Sequence, residues 1–153
     1  MKKGITPIIA IIILLMITIG LAALAWTYLS GFLTGYTKTL ALVDFYCTGT
    51  TTANVILRNS GVEPLALGSG CNIPDTQNTV TCGSLTITRT DTDAGGNPNN
   101  FNGASINPNS GTLAPGATLT FTDTCTTAGT PAVCTYRFVT GGTGATVVSV
   151  PCG

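Results

Sequence analysis

The chain has 153 residues, six Lys or Arg, six Asp or Glu and no histidine, so its formal net charge is zero. With charged residues at only 8% there is no basic patch, and nucleic acid is excluded as a partner. The lack of histidine removes the commonest general base and the commonest metal ligand.

No charged side chain occurs between Lys3 and Lys38. From Ile5 to Ala25 the run is apolar all round, which suits a helix surrounded by lipid or by other helices. Pro7 falls in the first turn, where its missing N–H costs nothing. From Leu29 the pattern becomes one-sided, with Leu29, Phe32, Leu33, Tyr36, Leu40 and Val43 at helical spacing. This spacing predicts one helix over residues 5–43. At 1.5 Å per residue that is roughly 55–60 Å, nearly twice the hydrocarbon thickness of a bilayer. The six residues Trp26, Leu29, Phe32, Leu33, Tyr36 and Leu40 are its expected packing stripe, with Trp26 at a membrane interface or between helices.

Beyond Cys47 the signals turn to β. Threonine makes up about a fifth of the chain, and Gly and Asn are frequent, a composition of strands and turns. Strands are expected near residues 54–58, 64–67, 84–89, 118–122, 135–140 and 146–150, with residues 91–111 as a long surface loop. Short strands at regular turn spacing predict a β-sandwich. The fold class is therefore α+β, a long apolar helix followed by an Ig-like antiparallel β-sandwich head. The expected divisions are residues 1–4, 5–43 and 44–153.

Six cysteines, Cys47, Cys71, Cys82, Cys125, Cys134 and Cys152, all follow the apolar run. An even number beyond a membrane segment reads as three disulfides outside the cytoplasm. Near-neighbour pairing, Cys71–Cys82 and Cys125–Cys134, leaves Cys47–Cys152, one of 15 connectivities open to six cysteines. No C-x2-C pair exists, so no zinc site is expected. Residues 91–97 resemble the start of a calcium loop, but Gly95 and Asn102 stand where an EF-hand places acidic ligands. No cofactor, metal or catalytic residue is expected, and no enzyme. No Asn-x-Ser/Thr sequon occurs; exposed threonines are candidates for O-linked sugars.

The N-terminus admits three readings. A secretory signal peptide would be cleaved near Ala25, but its apolar stretch exceeds the usual 7–15 residues. A single-span anchor carrying an extracellular binding domain fits Lys2 and Lys3 by the positive-inside rule. The third rests on a resemblance. Lys2-Lys3-Gly4 followed by Ile5-Thr6-Pro7-Ile8-Ile9-Ala10 resembles the class III signal peptide and opening of archaeal type IV pilins. The resemblance covers roughly the first 35 residues. It implies cleavage between Gly4 and Ile5 by a prepilin-type signal peptidase, with Lys2 and Lys3 as charged leader positions. Ile9 stands where bacterial pilins carry glutamate, which argues against the bacterial branch and is compatible with the archaeal one. NVILRNSG and LAPGATLTF are similar to segments of archaeal pilin heads.

From the resemblance follows an extracellular, type IV pilus-like adhesive filament of identical subunits, built by a pilus assembly machinery from a membrane-inserted precursor. Archaellins, subunits of a motility filament, share the same plan and stand as an alternative beside the anchored domain.

Overall fold

A computed structural model describes residues 5–34, 38–126, 132–141 and 144–153. These form two compact units, the helix α1 (Ile5–Thr34) and a β-sandwich head. The chain is thus α+β, with an apolar helix followed by an antiparallel β-sandwich.

Helix α1 contains the 24-residue stretch Pro7–Ser30, long and apolar enough to cross a membrane and entirely unburied. Thr18 and Thr27 fold their hydroxyls back onto the carbonyls of Leu15 and Leu24. The polar atoms of these side chains therefore need no water.

The head is built from β1 (Leu40–Thr48), β2 (Thr52–Asn59), β3 (Leu65–Gly68), β4 (Thr79–Cys82) and β5 (Leu85–Arg89). The remaining strands are β6 (Ser105–Asn107), β7 (Gly111–Leu113), β8 (Thr118–Thr124), β9 (Ala132–Thr140) and β10 (Ala145–Cys152). One sheet has the order β1-β2-β8-β6, the other β10-β9-β5-β4, and β3 pairs with β7 at the side; every pairing is antiparallel. Alternation decides which face is buried. Leu119 and Phe121 on β8, Leu85 and Ile87 on β5, and Tyr136 and Phe138 on β9 all point inward and are fully buried. Phe121 is the hub, with the rings of Phe101, Tyr136 and Phe138 edge-on at 6.1, 4.9 and 5.5 Å. Each such pair adds about 0.5–1.5 kcal/mol beyond area burial.

The intervening residues face outward and are mostly threonine. Hydroxyls meet across strands at Thr81–Thr86, Thr79–Thr88, Thr135–Ser149 and Ser105–Thr122. The high threonine content is thereby accounted for as β-branched side chains that pair on solvated faces.

The helix does not run to residue 43. It ends at Thr34, and residues 40–48 are strand β1. Leu40 is therefore not a helix-packing residue; it is buried in the head core at 9% exposure. Leu40 and Val43 continue the helical spacing, whereas Leu40, Leu42 and Phe45 share one face of a bulged strand, and the tertiary partner decides between them. β1 pairs with β2 over its whole length, from Leu40↔Asn59 to Thr48↔Thr52, with a bulge between Leu42 and Asp44. A strand paired this way, rich in Val, Phe and Tyr, prevails over a marginal helical stripe. Residues 91–111 are also not one loop, since they contain β6 and the start of β7. Strand β4 lies where no strand was expected, and β9 begins three residues before its expected segment.

Candidate functional site

The expected processing residues Lys2, Lys3 and Gly4 lie outside the described residues, and Ile5 is the first residue of α1. Along α1, Trp26 is 74% and Leu29 56% exposed. Phe32 and Leu33 lie in the last turn, and their side chains, like all of Tyr36, fall outside the described residues. Among the described residues of the expected stripe, Leu40 alone sits in the head.

The structure joins the six cysteines as Cys47–Cys152, Cys71–Cys82 and Cys125–Cys134, leaving none free. The first links β1 to the last residues of β10, edge strands of opposite sheets, across a sequence separation of 105. The others close short loops of 11 and 9 positions.

A buried ion cluster that the composition did not announce lies beside Cys134. Arg89 ends β5 on its inward face at 1% exposure. Its Nε donates to both oxygens of Asp91 at 3.0 and 3.1 Å, and Nη2 donates to Asp91 Oδ2 at 3.0 Å and to Cys134 Sγ at 3.0 Å. Nη1 donates to Asp123 Oδ2 at 3.2 Å and to the Asn100 carbonyl at 2.9 Å. Tyr136 donates its hydroxyl to the same Asp123 oxygen, and the Asn102 N–H donates to the other. Burial works against the guanidinium charge, yet the hydrogen bonds and charge of Asp91, with Asp123, hold its pKa above the ordinary value. Burial raises the Asp123 carboxyl, with the Asn102 N–H, Arg89 and Tyr136 opposing. Burial and the Asp123 charge also push the Tyr136 phenol up. No buried side-chain polar atom among the described residues lacks a partner.

This cluster organises the segment that follows β5. Residues 91–99 form a small hairpin, closed by Asp93 N–H to Asn97 O, Asn99 N–H to Asp91 O and a bridge between Thr92 and Pro98. Asp93 Oδ1 accepts the N–H groups of Gly95 and Asn97. The carboxylate of the calcium-like motif is thus occupied by its own turn. Among the described residues no group of three or more His, Cys, Asp or Glu could hold a metal ion. Phe101 then turns into the core at 1% exposure. Its N–H is donated to Gln77 O, and the Gly103 N–H to Asp75 Oδ1, so residues 75–78 lie alongside residues 99–103.

The strand directions place this corner. β1 enters the sandwich at Leu40 and leaves at Thr48, and the registers put Thr52, Arg89, Thr124, Ala132 and Cys152 at the same end as Thr48. The loops 49–51, 75–78 and 90–104 therefore gather at the end of the head away from Lys38. Arg89 and Asp123 were legible in principle. Each continues an inward alternation, Leu85-Ile87-Arg89 and Leu119-Phe121-Asp123, which puts opposite charges on facing core sides.

No protein-family model matches the chain, and no curated protein matches it. Among solved structures it is similar to the archaellum periplasmic stator protein FlaG from Sulfolobus acidocaldarius. The identity is 15% over 73% of this chain and 98% of that one, with a TM-score of 0.43. A second similar structure is the archaellum periplasmic stator protein complex FlaF and FlaG from the same organism. Here the identity is 15% over 72% of this chain and 86% of that one, with a TM-score of 0.42. At this identity and score the likeness defines neither a family nor a function.

Proposed function

We propose that the chain is a membrane-anchored, non-enzymatic surface protein. Helix α1 spans the bilayer and the disulfide-bonded sandwich is displayed outside the cytoplasm. The observation that carries this reading is α1 itself: 24 residues from Pro7 to Ser30 without a charge and without a buried face. Lipid is the simplest environment that satisfies every side of it. Three disulfides support an oxidising compartment for the head. The stripe over residues 29–43, which a plain anchor would not need, is divided between α1 and β1. That division favours the anchor over a polymer core.

The second reading is a subunit of an archaeal pilus-like or archaellum-like filament, with α1 moved from lipid into a bundle of identical helices after cleavage at Gly4. Two features favour it. One is the Lys2-Lys3-Gly4 opening. The other is the helix length: 30 residues span about 45 Å, against roughly 30 Å of hydrocarbon. Shearing cells that express the chain separates the two. An anchored protein stays with the membrane pellet and floats with vesicles. A filament subunit appears in the sheared supernatant as fibres under the electron microscope, with Ile5 as its first residue by N-terminal sequencing. Fibres with that N-terminus would overturn the anchor reading.

A further inference from the structure

We propose that the corner of the head made by residues 75–77 and 99–103 binds neutral, polyhydroxylated glycan chains. The inference deepens the surface-protein reading by naming what the displayed head holds.

Three carboxamides carry it. Phe101 points into the core, so its neighbours Asn100 and Asn102 point out, and Gln77 lies across from them through the Phe101 N–H to Gln77 O bond. All three side chains are exposed, and among the described residues none of the three carboxamides has a hydrogen-bond partner. Their backbones, in contrast, are held at several points. Asn100 O accepts from Arg89, Asn102 N–H goes to Asp123, Asn102 O accepts from Thr124 N–H, and Gly103 N–H goes to Asp75. A stretch with no strand of its own is thus held in place by a buried cation and two carboxylates. Its three free amides face solvent on a fixed frame, an arrangement that lowers the ordering cost of binding.

The chemistry of the patch selects the ligand. Each carboxamide offers two donors and one acceptor, which matches hydroxyls that both donate and accept. Among the described residues no cation of this corner is exposed, since Arg89 is buried and paired with Asp91 and Asp123, so phosphate and acidic chains find no counter-charge. Among the described residues no large apolar side chain of this corner is exposed, which disfavours an apolar peptide. Among the described residues Asp75 is the one exposed carboxylate in the corner and already accepts from Gly103, short of the six to eight oxygens that calcium requires.

The test uses the full chain, purified in a zwitterionic detergent free of sugar, on beads of dextran, mannan and cellulose, with heparin beads as the charged comparison. The wild type is expected to be retained on at least one neutral polysaccharide and not on heparin. Gln77→Ala/Asn100→Ala/Asn102→Ala is expected to weaken retention at least tenfold with an unchanged melting temperature. Ser110→Ala, elsewhere on the head, is expected to change nothing. No retention of the wild type on any neutral polysaccharide overturns the proposal, as does equal retention of the triple variant. Retention that needs added calcium overturns it in favour of a metal-mediated site. Flotation of the same preparation with phosphatidylcholine vesicles reads the anchor separately, so a chain that binds glycan but does not float defeats only the anchor.

Discussion

Arg89 is the residue whose surroundings are most demanding. A buried guanidinium is tolerable because two carboxylates and a carbonyl take its N–H groups. Arg89→Met would leave Asp91 and Asp123 facing each other without a cation, and breaking a buried pair in this way costs about 3–5 kcal/mol. The pH dependence follows from Asp123. Its folded pKa is raised, so the native chain keeps that proton to higher pH than the unfolded chain. The stability it contributes is fully present below the ordinary carboxylate value and is lost as pH rises through the folded one. Asp93 runs the other way. The N–H and side-chain amide of Asn97 lower its pKa, so its contribution is lost as pH falls through the depressed value. In Arg89→Met the carboxyl of Asp123 loses an opposing charge and rises further. The cost of that substitution, read from urea midpoints of variant and wild type, is expected to be largest at pH 7 and to shrink toward pH 3. A cost independent of pH would assign the effect to packing instead. Gly83 is a second demanding position, in the two-residue turn between β4 and β5. It has φ +61°, and a Cβ there would stand 2.4 Å from the Ala66 carbonyl oxygen, which also accepts the Ser84 N–H. Gly83→Ala combines a left-handed conformation with a backbone clash. It is expected to lower stability by at least about 2 kcal/mol, measured by thermal melting.

At the scale of elements, β1 combines an apolar strand with a protected edge. It lies at the edge of its sheet and exposes Leu42, Val43, Phe45 and Tyr46, a composition that invites pairing with another chain. The bulge between Leu42 and Asp44 breaks the register there, and Asp44 Oδ1 takes the Phe45 N–H. Thr146 donates its hydroxyl to the Leu40 carbonyl, closing another edge group. Asp44→Val removes the charge and frees the Phe45 N–H. It is expected to shift the detergent-solubilised protein toward dimers and larger species in sedimentation velocity, whereas a monomeric variant would show the bulge to be protection enough. The disulfides divide by loop length. The chain-entropy model gives about 5 kcal/mol for a loop near 100 residues and about 2.5 kcal/mol for one near 10. Cys47→Ser/Cys152→Ser is therefore expected to lower the guanidinium midpoint more than Cys125→Ser/Cys134→Ser. Most strands were legible because Val-Ile-Leu and Leu-Thr-Ile alternations leave one face to bury. β1 was not, because its apolar spacing satisfies a helix and a bulged strand alike and only pairing with β2 resolves it. β6 and β7 are three residues each and lie among Asn, Gly and Pro, so neither propensity nor period marks them. The corner that holds Gln77, Asn100 and Asn102 was legible only as polar loop. Its order comes from Arg89, Asp91 and Asp123, which meet from β5, its following loop and β8.

For the whole molecule, the decisive question is what surrounds α1, and magnitudes separate the answers. The span from Pro7 to Ser30 carries twelve Ile and Leu residues. At about 0.3–0.6 kcal/mol each, they favour insertion by about 4–7 kcal/mol. A charge at the helix centre costs about 2.5–3.5 kcal/mol on the same scale. One aspartate therefore leaves a lipid-embedded anchor inserted, while two nearly cancel its driving force. Leu15→Asp is expected to remain in the membrane fraction, and Leu15→Asp/Ile19→Asp, one turn apart, to fall largely out of it. A filament core responds differently, because the same charge recurs in every subunit and is buried without a partner. If α1 is the core of a homopolymer, Leu15→Asp alone abolishes fibres while the precursor stays inserted. Membrane flotation and negative-stain microscopy of the two variants thus give distinct patterns for the two environments. Loss of membrane association by Leu15→Asp alone would contradict the insertion arithmetic on which the anchor reading stands.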